Sequence, residues 1–215
     1  MKTMFVRQSA LLLSGLLLGF SASAENLSVY KAEAAGSSVK IDGSSTIHNW
    51  SVDGKIIGGR FEIDSSFAIT GTPAPGKVPA KAKATIPVRS LKSGTVRMDE
   101  VMQEHMKATE FPKIDYELSE MTLKEAPKSA ADPLVFDTAG KLTISGVTKD
   151  TSMVVTCDRS VASKLKFKGV ANLKMTDFGI KPPSPSLALG LIKTGDDVKI
   201  TIEWVTSQKP EAAGK

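Results

Sequence analysis

One cysteine in 215 residues, Cys157, leaves no partner for an intramolecular disulfide. Two histidines are too few for a His-rich metal centre, and no Cys/His spacing resembles that of structural zinc. The chain also lacks a Gly-x-Ser-x-Gly elbow, a phosphate-cradling glycine loop and a His-Glu-x-x-His helix. Its acidic residues are plentiful but dispersed, so no catalytic residue is assigned and no enzyme is expected. Positive charge is equally scattered. A formal net charge of +5 without a basic stripe or cluster excludes a nucleic-acid footprint.

Long apolar runs are missing too. The longest, Ala10 to Phe20, is well short of the roughly 20 residues that cross a bilayer as a helix. Lys2 and Arg7 precede it and Ala22-Ser23-Ala24 follows, the layout of a cleavable export signal over residues 1–24. No cysteine follows the small residues, which argues against a lipoprotein anchor. The expected mature chain, 25–215, is a soluble single domain in the periplasm. Its tail after about 207 is expected to fray.

What the mature chain does have is alternation. Val39 and Ile41, Phe61, Ile63 and Phe67 within 57–69, Ala82 to Val88, and Ile114, Tyr116 and Leu118 each place apolar residues on one face at period two. Leu142 and Ile144, Met153 and Val155, Leu165 and Phe167, Leu173 and Met175, and Val198 to Trp204 continue it. Cys157 shares the face of Met153 and Val155 and reads as a small buried hydrophobe. No strand is apolar on both faces, which favours an antiparallel sheet over a doubly wound parallel one. Roughly eight to ten such strands in one domain must close or stack to remove their edges. A sandwich is the alternative. The long Phe61 segment and a single helical insertion favour a mainly β, antiparallel barrel with one helix near a mouth and room inside for a ligand.

That helix is expected within 93–108, where Met98, Met102 and Met106 recur at i, i+4 and i+8 with Val101 and His105 beside them. Unbranched methionines suit a face that seals a barrel or lines an adaptable pocket. Thioether and imidazole ligands for Cu(I) are the alternative. Arg89, Lys92 and Arg97 cluster around the helix start, where an anionic head group could dock. His48 and Trp50 share a face of an early strand, either as satisfied core residues or as cavity wall. The stretch from Asp177 to Ile192 joins prolines to an apolar half with Leu187, Leu189 and Leu191, and reads as a flap over the mouth or a segment folded onto the flank.

Four strings, in order, resemble the YceI-like family of exported lipid-binding proteins. They are 45–52 with its Ser-x-x-His-x-Trp core, 86–94, Met98-Asp99 together with Phe111-Pro112-Lys113-Ile114, and 140–149 followed by Asp177-Phe178-Gly179-Ile180. The stretch after Ile180 departs from the pattern in lacking a tryptophan common there. The resemblance implies a lipocalin-like barrel whose apolar interior holds a long isoprenoid chain, with the lipid's polar end near the mouth. The candidate contacts for that chain are His48, Trp50, Phe61, Ile63, Met98, Met102, Phe111, Tyr116, Leu118 and Phe178. Arg89, Lys92 and Arg97 are the candidates for the head group. The lipid is expected as ligand, with no cofactor, no resident metal and a monomer or weak dimer as the working unit.

Overall fold

The computed structural model describes residues 26–161, 163–184 and 192–208. The leader, Leu187, Leu189, Leu191 and the tail beyond 208 lie outside them. Alternation becomes strand throughout: β1 (Leu27–Ala32), β2 (Ser38–Ser45), β3 (Asn49–Gly54), β4 (Gly58–Asp64), β5 (Gly76–Lys77), β6 (Ala80–Pro87), β7 (Lys113–Leu123), β8 (Leu134–Ile144), β9 (Val147–Val161), β10 (Lys164–Lys174) and β11 (Thr194–Ser207). All belong to one antiparallel sheet in the order β1-β4-β6-β7-β8-β9-β10-β11-β2-β3. Pairing of Lys31 with Ser207 and Ala32 with Thr206 closes it.

β1 and β2 lie end to end against β11, and β3 and β4 lie end to end beside them. Each pair is one bent stave, so the eleven segments make a closed barrel of eight staves, with β5 a short addition to β7. This is the mainly β, antiparallel barrel with a single helix that alternation and the helical insertion called for. The segment around 57–69 is shorter than its pattern implied. The Asp64 carboxylate accepts from Ser66 N at 2.8 Å and turns the chain, leaving Phe67 and Ile69 beyond the strand. In β7 the pairing skips between Leu118 and Glu120. That bulge flips the parity, so Ile114, Tyr116 and Leu118 face inward before it and Met121 and Leu123 after it.

The helix, α1, covers Val96–His105 between β6 and β7. Gly94, at φ +83°, a conformation that glycine adopts without strain, breaks the expected stretch near its beginning, so the helix starts only at Val96. Three contacts hold α1 across one end of the barrel. Asp99 accepts from both Ser93 N and Ser93 Oγ at 2.7 Å. Ser145 Oγ donates to Met106 O at 2.9 Å from the β8–β9 turn, whose two residues Ser145 and Gly146 both have positive φ as a tight hairpin requires. His105 Nδ1 lies 2.7 Å from Lys181 O on the segment after β10.

The opposite end is plugged. Tyr30, Phe61, Phe136, Phe167 and Trp204 are buried there with Leu134, Leu165 and Cys157, and the Phe61 and Phe167 rings sit 4.8 Å apart. Arg159, two residues beyond Cys157 on the same face, is 4 % exposed and donates only to main-chain carbonyls. Its partners Ile69, Gly71, Ser129 and Asp132 belong to the β4–β6 and β7–β8 connections, which it draws across the floor.

Candidate functional site

Between the plug and α1 lies a cavity of about 800 Å³. Its volume follows from residue size. The inward positions of β6 carry Ala82 and Ala84, and those of β10 carry Gly169 and Ala171, so two staves give up the space that leucines would fill. Ile41, Leu142, Ile144, Leu173, Ile200 and Ile202 complete an aliphatic wall, and Met98, Val101 and Met102 of α1, with Met106 just after it, face it from the open end. Ser45, His48, Thr95, Arg97, Lys174, Ser184 and Thr194 rim the mouth.

Of the ten residues expected to touch an apolar chain, His48, Trp50, Phe61, Met98, Met102, Tyr116, Leu118 and Phe178 line this cavity. Ile63 and Phe111 do not. Ile63 is one step past Phe61 toward the floor and is 1 % exposed within the plug. Phe111 lies over the β8–β9 turn, where a Cβ added to Gly146 would come within 2.6 Å of its ring. The basic trio does not converge either. Arg89 donates to Gln103 Oε1 and Thr109 Oγ1, at 3.1 and 3.3 Å. Lys92 pairs with Asp99 at 3.6 Å. Only Arg97 borders the cavity, and it pairs with Glu100 at 3.2 Å. The Asp99 carboxylate in the first turn of α1 is thus what occupies Lys92 and Ser93.

Trp50 is both a satisfied tryptophan and a wall residue. Its indole donates to Ser44 O at 3.0 Å, and its ring covers Gly43, where any Cβ would fall inside it. Tyr116 is different. Its ring turns over Gly140, and its phenol oxygen is buried without a hydrogen-bond partner. Burial pushes its pKa up, with the Thr138 hydroxyl opposing. That hydroxyl donates to Met153 O at 2.9 Å. Trp204 Nε1 is likewise buried and unpaired. Cys157 is inert: burial pushes its thiol up to about 12, Arg159 opposes, and Asp158 adds. Among the described residues no three His, Cys, Asp or Glu side chains gather to hold a metal. His105, the imidazole of the soft-metal alternative, has Nδ1 engaged with Lys181 O.

The cavity-forming small residues on β6 and β10 were not singled out by sequence reasoning. The signal that could have found them is alanine or glycine recurring at the inward parity.

A barrel with this helix and this interior matches a known family model from residue 30 to residue 206, described as the YceI-like domain. The chain belongs to the YceI-like family. Among solved structures, this YceI-like barrel is similar to Burkholderia cenocepacia BcnA, at 19 % identity and TM-score 0.61 over 81 % of this chain and 98 % of that one. It is also similar to a polyisoprenoid binding domain from Saccharophagus degradans implicated in plant cell wall breakdown, at 12 % identity and TM-score 0.64 over 85 % and 99 %. A Campylobacter jejuni YceI protein matches at 19 % identity and TM-score 0.52 over 74 % and 85 %. No curated protein matches the sequence. At these identities the likeness establishes a shared fold.

Proposed function

We propose that this protein takes up a long apolar lipid of isoprenoid type in its barrel and sequesters or carries it in the periplasm. The observation that supports this most directly is the wall of the cavity. At about 30 Å³ per water, 800 Å³ would hold about 27 molecules facing a lining of aliphatic, methionine and aromatic side chains. A flexible hydrocarbon chain releases that water, at about 0.8 kcal/mol for each methylene buried. The polyisoprenoid-binding neighbour supports the isoprenoid class. The leader-like first 24 residues support export. The methionines of α1 adapt to a chain of varying conformation, which a branched aliphatic face would do less well.

Mass spectrometry of organic extracts from the purified protein tests the reading. A stoichiometric hydrophobic molecule is expected. The only two tryptophans, Trp50 and Trp204, both line the cavity, so adding a polyprenyl lipid to stripped protein should change intrinsic fluorescence saturably. Lipid-free extracts together with a flat titration would overturn the proposal.

A further inference from the structure

The most exposed large apolar side chains among the described residues are Val96, at 75 %, and Ile47, at 63 %. Both stand at the cavity mouth. Ile47 is at the tip of the β2–β3 hairpin between Ser45 and His48, and Val96 opens α1 between Thr95 and Arg97; all four flanking residues rim the cavity. The bridge between Asp53 and Lys92 runs the chain before α1 antiparallel to β3, toward the same tip. The two side chains therefore flank one opening.

Ile47 is held outward by a built turn. Ser45 N and Ser45 Oγ both donate to His48 O, at 2.9 and 2.8 Å, and Ser45 Oγ accepts from His48 N at 3.2 Å. Thr46 is bonded to Lys193 in both directions, at 3.0 and 3.3 Å. Charge surrounds the pair. Around the mouth, Lys193 next to Thr46 and Lys181 next to His105 are exposed and form no ion pair among the described residues, Arg97 is exposed with Glu100 as its partner, and Glu104 is an exposed acidic residue on the cavity lining. Isolated aliphatic side chains set among flexible cations match a bilayer interface better than a protein partner, whose anchors are usually aromatic and set in pockets.

We propose that this rim seats the barrel on an anionic lipid surface. Ile47 and Val96 enter the interface while Arg97, Lys181 and Lys193 meet the phosphates, so the cavity opens toward the acyl layer and its cargo avoids bulk water. The idea rests on the lipid-binding reading but is tested apart from it, by flotation of the protein itself with vesicles of phosphatidylcholine alone or mixed with phosphatidylglycerol. Association with the anionic vesicles is expected, weakening as salt rises. Ile47→Ser with Val96→Ser should lower the partition coefficient by at least about tenfold, the equivalent of one buried aliphatic side chain. Val154→Ser with Val170→Ser, two exposed valines on the outer wall, should leave it unchanged. Flotation with neither vesicle, or an equal loss in both double variants, overturns the proposal and leaves the rim to a protein partner. Lipid recovered by mass spectrometry from the same preparation keeps the cargo reading intact in that event.

Discussion

Removing the guanidinium of Arg159 is the sharpest test of how the barrel floor is held. Nε donates to Asp132 O at 2.8 Å, Nη1 to Ile69 O at 2.8 Å and also to Gly71 O, and Nη2 to Ser129 O at 3.1 Å. The charge is thus spread over carbonyl dipoles from two connections. Hydrogen bonds from a charged donor are each worth about 1.5–3 kcal/mol. Four on one side chain do not add in full, because they are lost together and water reaches the outer carbonyls. Arg159→Met should therefore cost about 3–5 kcal/mol, the cost of removing one side of a buried charged arrangement. At about 2–4 °C per kcal/mol for a domain of this size, Tm falls by about 6–20 °C. Arg159→Lys keeps the charge but loses the planar fork, and should recover less than half of the loss. Calorimetry or circular dichroism would read both. A fall of under about 2 °C for the methionine variant would refute the view that this residue ties the floor together.

Tyr116→Phe should leave lipid-stripped protein as stable or up to about 1–2 kcal/mol more stable, since the lost oxygen is buried without a partner; a clear drop in Tm would count against that. Cys157, with its thiol pushed up to about 12 by burial, should resist alkylation at pH 8 when folded and react fully in denaturant. Rapid labelling of the native protein would contradict its buried placement. Asp64, Asp158, Asp196 and Glu203 are held below the ordinary carboxylate range, led respectively by hydrogen bonds from Ser66, Ser160, Thr176 and Lys166. At Asp99 burial raises the pKa, but the two Ser93 bonds and Lys92 outweigh it. Depressed values contribute stability that is present above the ordinary unfolded carboxylate values, about 3.9–4.3, and is lost as pH falls through the lower folded values. A thermal-stability profile that declined between pH 7 and 5 would be inconsistent with this.

Period two revealed most staves, because each buries one face against the interior and wets the other. The bends were hidden. β1 with β2, and β3 with β4, continue across interruptions at 33–37 and 55–57, and only the register of β1 and β2 along β11, with β4 on β1 and β3 on β2, reveals them. The bulge in β7 reversed parity where Ser119 offered no turn signal. At the site, parity identified wall residues such as Tyr116 and Leu118 but did not report depth, so Ile63, sealed inside the plug, and Phe61, the plug residue that also faces the cavity, looked alike. Charges near one another in sequence were separated by the chain's reversal. Arg89 is held by Gln103 and Thr109, whereas Arg97 pairs with Glu100. Arg159 was illegible for a related reason, since its partners are carbonyls, which every residue possesses.

The seam of the barrel also sets an order of events. β11 is the last strand among the described residues, yet it pairs with β10 on one side and with β2 and β1 on the other. A polypeptide delivered with its N-terminus leading cannot complete the ring until Val198 to Ser207 have arrived. Until then β2 and β10 are both open edges, and the cavity has one wall missing. Chain termination short of 194 should leave an aggregation-prone, empty sheet rather than a smaller barrel. A chain built this way postpones the closure of its tertiary structure until β11, the last of its described strands, has joined both edges.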